Sequence, residues 1–475
     1  MSEWQRLSPR MLAVHPVHEV LRQLPVLVGS LVLGSATRNS AWPLAALGVT
    51  VAIGLLRWFF TTYRIDDENV AMRTGVLRRR SISVPRNRIR SVQTDSRLLH
   101  RVLGLTVLLV GTGHESRGRP AFALDAVPAA QVPRLRAALL AEPGSSETTD
   151  RPAGRVLAAW HPSWLRYAPL SFSGLLMIGA AVGLANQSGL GEMIQQRVAE
   201  AGIEAAHRTG VVVVVSVGVC ALLALSVLLA VLWSWLTYGN LVLRRGGGGL
   251  YLRHGLLRVR EYTFDMRRFR GATLREPLLV RALGGARLDA VMTGVHGEGE
   301  SSVLLPPCPD STCRTVLADL IDDMAVLKPP LRSHGSAATR RRWTRALAVP
   351  AVLAVVNLVA APPVWAWAGW VALSAACALL AVDRARSLGH CVAGGWLVAR
   401  AGSLERRLDC IACAGIIGWT VRQSLLQRRA GVATLIAATA AGRKRYHVID
   451  VPADLAWSVA AAASPWVADS IWAGG

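Results

Sequence analysis

Arginine is the residue type in this chain with the clearest capacity for recognition chemistry. One stretch holds Arg78, Arg79, Arg80, Arg86, Arg88, Arg90, Arg97 and Arg101. A second holds Arg258, Arg260, Arg267, Arg268 and Arg270, followed by Arg275 and Arg281. A guanidinium is a planar fork of donors that grips phosphate or carboxylate at two points. These clusters are therefore candidates for an anionic-phospholipid surface or an acidic-partner surface. The plainer alternative is that they only set topology and solubility. Other reactive types are sparse. Cys410 and Cys413 have the spacing of a metal knuckle or redox pair, but no second half accompanies them, and Cys308 and Cys313 stand elsewhere. His15 and His18 flank a proline and read as interfacial. The sequence offers no nucleophile elbow, no phosphate loop with its lysine, no zinc-protease helix motif and no recurring carboxylate pair. The expectation is a non-catalytic protein that uses neither cofactor nor metal.

The chain has 475 residues, 52% of them hydrophobic and 17% charged, with a formal net charge of +23. A mean hydropathy of +0.36 is too high for an ordinary soluble protein. So much positive charge suits nucleic acid, anionic lipid or the cytoplasmic loops of a membrane protein. No nucleic-acid recognition motif is visible, which sets the first aside. Seven scattered cysteines, an odd number, argue for reduced thiols and not a disulfide framework. No cleavable signal peptide is evident at the N-terminus.

The elements that would carry the arginines follow from the apolar runs, which come in pairs. They cover residues 24–37 and 43–60, then 165–185 and 211–236, then 347–361 and 363–382. A spanning helix needs about 20 apolar residues, so 24–37 and 347–361 need their flanks. This predicts six transmembrane helices in three hairpins. Arg6, Arg10 and Arg22 precede the first run, Arg78–Arg80 follow the second, Arg340–Arg342 and Arg345 precede the fifth, and Arg384 and Arg386 follow the sixth. The positive-inside rule then puts both termini and everything between the hairpins in the cytoplasm. Residues 186–210 form the one sizeable outer loop and read as an amphipathic helix. Trp58, Trp233, Trp235 and Trp343 read as interfacial anchors. Asp66 and Asp383 fall just past span ends, where water reaches them. A transporter-like path for lipid or peptide is a rival reading, but the spans lack internal ionisable residues. A lipid-acting enzyme is a weaker one.

Between the apolar pairs the chain repeats itself. Gly75, Gly255 and Gly402 are each followed 29 positions later by Gly104, Gly284 and Gly431, and a Leu-Leu-x-Arg motif leads into each second glycine. A fixed register repeated three times marks a threefold module. The predicted organisation is a first segment and hairpin at 1–60, module 61–141, linker 142–163, hairpin 164–239, module 240–327, basic linker 328–345, hairpin 346–383, and a diverged module with tail at 384–475. Alternating apolar residues around turns predict short antiparallel strands, with a short helix before each second glycine and a closing helix. Gly246–Gly249 read as a loose first turn in copy two. The fold class is an α+β membrane protein whose modules are small curled sheets stoppered by a C-terminal helix.

Copy one carries the pattern Tyr63-x-Ile65-Asp66, Arg73-x-Gly75-Val76-Leu77, Val84-Pro85, Arg88-Ile89, Ser91-Val92, Leu98-Leu99 and Leu103-Gly104-Leu105. With its membrane hairpin this resembles the bacterial pleckstrin-homology-like family of the YdbS/YdbT type, and three copies resemble its larger, YdbT-like members. The resemblance implies a PH-like barrel per module at the bacterial inner membrane. The expected role is binding or scaffolding in envelope maintenance or stress defence, through anionic phospholipid, a protein partner or a homo-oligomer. The resemblance names no ligand.

Overall fold

The computed structural model describes residues 4–6, 59–66, 69–74, 80–86, 89, 91–111, 122–132, 134–135, 154–171, 173–187, 190–293, 302–322, 331–360 and 362–469, with positions 45, 48, 52 and 56. The first predicted hairpin therefore lies almost wholly outside the described residues, as do Gly75 and parts of the two predicted linkers, 142–153 and 328–330. The chain divides into two compact units, residues 1–265 and 266–475.

In the first unit β1 (Gln5–Arg6), β2 (Thr62–Ile65), β3 (Asn69–Thr74) and β4 (Arg80–Pro85) form an antiparallel sheet in that order. Then come β5 (Ser91–Ser96), the short helix α1 (Leu98–Val102), β6 (Leu105–Gly111) and β7 (Phe122–Pro128). Side chains alternate between the faces of a strand, so Val70, Met72 and Val84 turn to one side. There they meet Val92, Leu105, Leu108, Val110, Leu124 and Val127 from the second sheet in one buried core. Each such aliphatic side chain contributes about 1.5–3 kcal/mol by leaving water. Copy one is thus a two-layer β-sandwich.

The chain continues through β8 (Arg155–Ala159) and a 3₁₀ segment, Pro162–Ser171, into α2 (Ser173–Gln187), α3 (Leu190–Thr209) and α4 (Val211–Tyr238). The run 165–185, expected as one span, is instead broken, with a bend of 56° between the 3₁₀ segment and α2. Pro169 sits inside the first piece, where its ring and missing N–H oppose a continuous helix. Residues 190–209 are helical, in the place of the predicted outer-loop helix. After α4 come β9 (Val242–Gly246), β10 (Gly249–His254) and β11 (Val259–Asp265). The turn between β9 and β10 corrects the loose-loop expectation: only Gly247 and Gly248 link the strands, at φ of 55° and 71°. Two consecutive positive φ values are what the tight two-residue hairpin requires, and glycine supplies them without strain.

The second unit holds β12 (Phe269–Pro277), α5 (Leu278–Ala282), β13 (Gly285–Met292), β14 (Val303–Pro309) and α6 (Asp310–Ile321). Two long helices follow, α7 (Gly335–Ala360) and α8 (Val364–Arg386), then β15 (Gly389–Ala393), β16 (Trp396–Ala401), β17 (Glu405–Ala412), β18 (Ile416–Arg422), α9 (Leu425–Arg429), β19 (Val432–Thr439), β20 (Arg445–Pro452) and α10 (Ala456–Ala463). Copy three packs Leu397, Ala399 and Ile411 against Ile416, Leu435, Ala437, Val448 and Val451, with Val459, Ala460 and Ala463 of α10 closing the end.

Among the described residues three helices, α4, α7 and α8, are long and apolar enough to cross a membrane. The bent pair before α3 makes four if it counts as one span. These fall in the second and third predicted hairpins, while the first lies almost wholly outside the described residues. α7 begins well before the apolar run 347–361 and takes Arg340–Arg342 into its first turns. The Trp370 indole N–H donates to the Pro350 carbonyl at 2.8 Å, tying α8 to α7.

Candidate functional site

The sheets do not respect the boundaries of the repeat. One sheet runs β7-β6-β5-β11-β10-β9-β8 and another β14-β13-β12-β17-β16-β15. The second half of copy one is therefore edge-paired with the first half of copy two, and the second half of copy two with the first half of copy three. The two joints share one register. Ser96 stands opposite Val259 in the first, and Glu276 opposite Arg406 in the second. Aligning Gly104 with Gly284 and Gly255 with Gly402 maps one pair onto the other.

The glycines build these joints. Gly255 and Gly402 both take φ of 104°. A Cβ there would stand 2.0 Å from the Arg258 carbonyl oxygen and 2.1 Å from that of Glu405. Only glycine fits the loop that launches the joint strand. The second glycines, Gly104, Gly284 and Gly431, adopt φ of 68°, 71° and 64° and terminate the short helices in the left-handed conformation.

In joint one the Arg258 Nε donates to Asp95 Oδ1 at 2.7 Å, and Asp95 is buried. Arg101, from the first Leu-Leu-x-Arg motif, donates to the Leu256 carbonyl at 2.8 Å. In joint two the position of Asp95 is taken by Arg275 and that of Arg258 by Glu405, and Arg275 Nη1 donates to Glu405 at 3.1 Å. The ion pair is kept with its charges exchanged. Arg281, from the second Leu-Leu-x-Arg motif, donates to Asp383 at 2.8 Å, and Arg406 donates to the other oxygen at 2.7 Å. Asp383, expected in water past a span end, is thus a joint residue. Arg275 also pairs with the buried Asp289 at 2.7 Å, and the Thr273 hydroxyl donates to Asp409 at 2.7 Å. Burial works to raise Glu405, but the guanidiniums of Arg407 and Arg275 overcome it and hold its pKa below the usual carboxylate range. Burial raises that of Asp409, with Thr273 opposing.

The predicted arginine surface is therefore divided. Arg101, Arg258 and Arg260 belong to joint one, Arg260 lying opposite Asp95. Arg97 precedes α1 as its N-cap residue, and Arg86 follows β4, half-buried. Arg267 and Arg268 occupy a 3₁₀ turn, and Arg270 donates to the Arg267 and Phe269 carbonyls at 3.0 and 3.3 Å. Arg80 opens β4, while Arg78, Arg79, Arg88 and Arg90 lie outside the described residues. Sequence reading missed the acidic partners Asp95, Glu405 and Asp383. The glycine register, carried a few residues further, sets Asp95 against Arg275 and Arg258 against Glu405, and so contained the signal.

A second cluster fastens α7 to copy three. Asp450, fully buried, pairs with Arg341 and, at 2.6 Å, with Arg342, and accepts from Gln427 at 2.9 Å. Two of the arginines read as topology signals are thus buried partners of a sheet residue. Just before α7, His334 Nδ1 lies 2.8 Å from the Ile449 carbonyl. A carbonyl only accepts, so that nitrogen carries the proton and His334 Nε2 accepts from His390 Nδ1 at 2.8 Å. Burial lowers both pKa values, that of His390 to about 4.

The cysteines do not assemble a centre. Cys410 is buried and its thiol is pushed up by burial, while Cys413 is half-buried. Cys308 and Cys313 meet with sulfurs 3.3 Å apart in the interior. Among the described residues no group of three or more His, Cys, Asp or Glu side chains could hold a metal ion.

The model of the bacterial PH domain family matches three times, over residues 20–143, 201–311 and 345–463. No curated protein and no solved structure matches the chain. The matches take in each sandwich or its counterpart and together cover most of the sequence, so the chain belongs to the bacterial PH domain family, as a protein of three modules.

Proposed function

We propose that this is a non-catalytic membrane protein of the bacterial inner membrane whose PH modules form a scaffold on the cytoplasmic face. In this reading six spans in three hairpins hold the modules, with both termini cytoplasmic, and the modules contact the anionic leaflet or a protein partner. One observation carries it. The modules emerge from the apolar helices almost without linker: α4 ends at Tyr238 and β9 begins at Val242, and α8 ends at Arg386 and β15 begins at Gly389. The membrane-facing side of a domain tethered by so few residues stays within a Debye length of the headgroups, where each basic residue gains about 1 kcal/mol. The shared sheets add the rigidity of a scaffold.

The test uses the whole chain, because a module cut at its repeat boundaries would lose the strands it shares. Reconstitution into nanodiscs of neutral or graded anionic lipid, with hydrogen exchange of residues 80–111 and 254–270, is expected to show protection that rises with anionic content. Replacing Arg78–Arg80 by alanine should reduce it. Identical exchange in neutral and anionic discs would remove the leaflet from the account and leave a protein partner as the ligand.

A further inference from the structure

The chain builds the same joint twice and carries one further half-joint that no described strand covers. β18 is the copy-three counterpart of β5 and β12, yet among the described residues it pairs with β19 alone. It is made like a joint strand. Gly418 stands opposite Ala438 after a register shift, as Gly271 stands opposite Val291 after its own. Where the joint covers β12, Gly271, Ala272, Thr273 and Leu274 are buried; on β18 the corresponding Gly418, Trp419, Thr420 and Val421 are half-buried or exposed. The leucine pair that follows is exposed in both copies and differs only in degree, Leu279 at 46% and its counterpart Leu426 at 64%. A bare strand edge is a template for another strand.

Charge says which strand. At the position of Asp95 and Arg275, β18 carries Arg422, which is exposed. In joint one that position meets Arg258, and in joint two it meets Glu405, always the opposite sign. Arg422 therefore calls for a carboxylate. Among the described residues β4, the copy-one counterpart of β11 and β17, also ends its sheet. By the glycine register Arg78 corresponds in sequence to Arg258 and Glu405, and Arg80, which opens β4, to Arg260 and Arg407. A second copy would bring arginine to arginine, and like charges across a strand pair are unfavourable.

We propose that β18 is the docking edge for a strand from another polypeptide. That strand is the third strand of a PH-type sheet and bears Asp or Glu where this chain bears Arg78. Arg78, matching Arg258 and Glu405 in sequence register, disfavours a second copy of this chain as that strand. The inference goes beyond the membrane-scaffold reading and does not depend on lipid binding.

The test is a charge exchange in the full chain, read by energy transfer between labelled copies in proteoliposomes. A chain with R78E and R422E presents acidic ends. Wild type with wild type, and doubly substituted chain with itself, are expected to give only the transfer of a non-interacting membrane protein at equal density. Wild type mixed with the doubly substituted chain should raise transfer severalfold, and 0.5 M salt should weaken it. The single variant R422E, whose own Arg78 end then supplies the opposite charge, should associate with itself. It guards against misfolding of the double variant, since Arg422 is exposed. Absence of transfer in both the mixture and R422E would overturn the docking edge. Equal transfer in wild type alone would make a second copy the occupant and overturn the charge rule.

Discussion

The two joints make the same connection with different chemistry. Joint one sets a buried carboxylate, Asp95, against a more exposed guanidinium: the Arg258 side chain is 44% exposed and that of Asp95 8%. Joint two sets a buried guanidinium, Arg275 at 12%, against the half-exposed Glu405 at 37%, and adds the buried Asp289 behind it. Backbone pairing and register are common to both, while the charges are exchanged. The lesson is that the sheet supplies the connection and the charge supplies the choice of partner. A half of joint one presented to a half of joint two would put like signs together, so the modules join in only one order.

The common part of the comparison is expected to be the most fragile. Gly402→Ala and Gly255→Ala each force a side chain into the left-handed region and onto a carbonyl oxygen, which costs upwards of about 2–3 kcal/mol. Both variants should show a large loss of thermal stability in detergent. If either alanine chain unfolds at the wild-type temperature, that loop is not the fixed element described. The differing part should be graded. Arg275→Ala leaves Asp289 buried with Arg287 as its remaining partner and should cost roughly 3 kcal/mol. Asp95→Ala leaves Arg258 free to reach water and should cost about 1 kcal/mol. Equal losses in denaturant titrations would erase the distinction between the joints.

The smallest effect separates the copies by pH. Copy three begins its first strand with the sequence Gly389-His390 where copy two, in register, has Val242-Leu243. His390 is held neutral, with a folded pKa of about 4 against an ordinary 6.5. A depressed histidine contributes stability that is complete above pH 6.5 and is lost as pH falls toward 4. At pH 5.5 the loss is about 1 kcal/mol. Unfolding of the second unit should be acid-sensitive in this window, and His390→Leu should reduce the sensitivity, with His334 and His447, also lowered by burial, keeping a remainder. A pH dependence unchanged in that variant would assign it to other groups.

Much of this architecture was legible in the residues. The glycine pairs and Leu-Leu-x-Arg motifs announced three modules, and they mark the loop and helix that frame each joint. The strands and the helix ended by Gly104 followed from alternation and turn chemistry. The joints themselves were not legible, because period-two patterning states which face of a strand is buried and not which strand lies beside it. Arg258 and Arg101 therefore looked like a basic surface, while the residues that occupy them, Asp95 and the Leu256 carbonyl, lie 163 and 155 positions away. The run 165–185 misled for a related reason: composition alone gives apolar length, and Pro169 breaks the helix within it.

Hydrogen exchange resolved along the full chain in a membrane tests the shared sheets most directly. If the joints exist, residues 271–277 of β12 and 405–411 of β17 lie inside a six-stranded sheet and should exchange slowly along their whole length. Residues 418–422 of β18, the same strand of the next copy, should exchange faster at alternate positions because β19 is their single neighbour among the described residues. Comparable exchange in β12 and β18 would mean that the modules stand apart, and the account of an interlocked scaffold would fail.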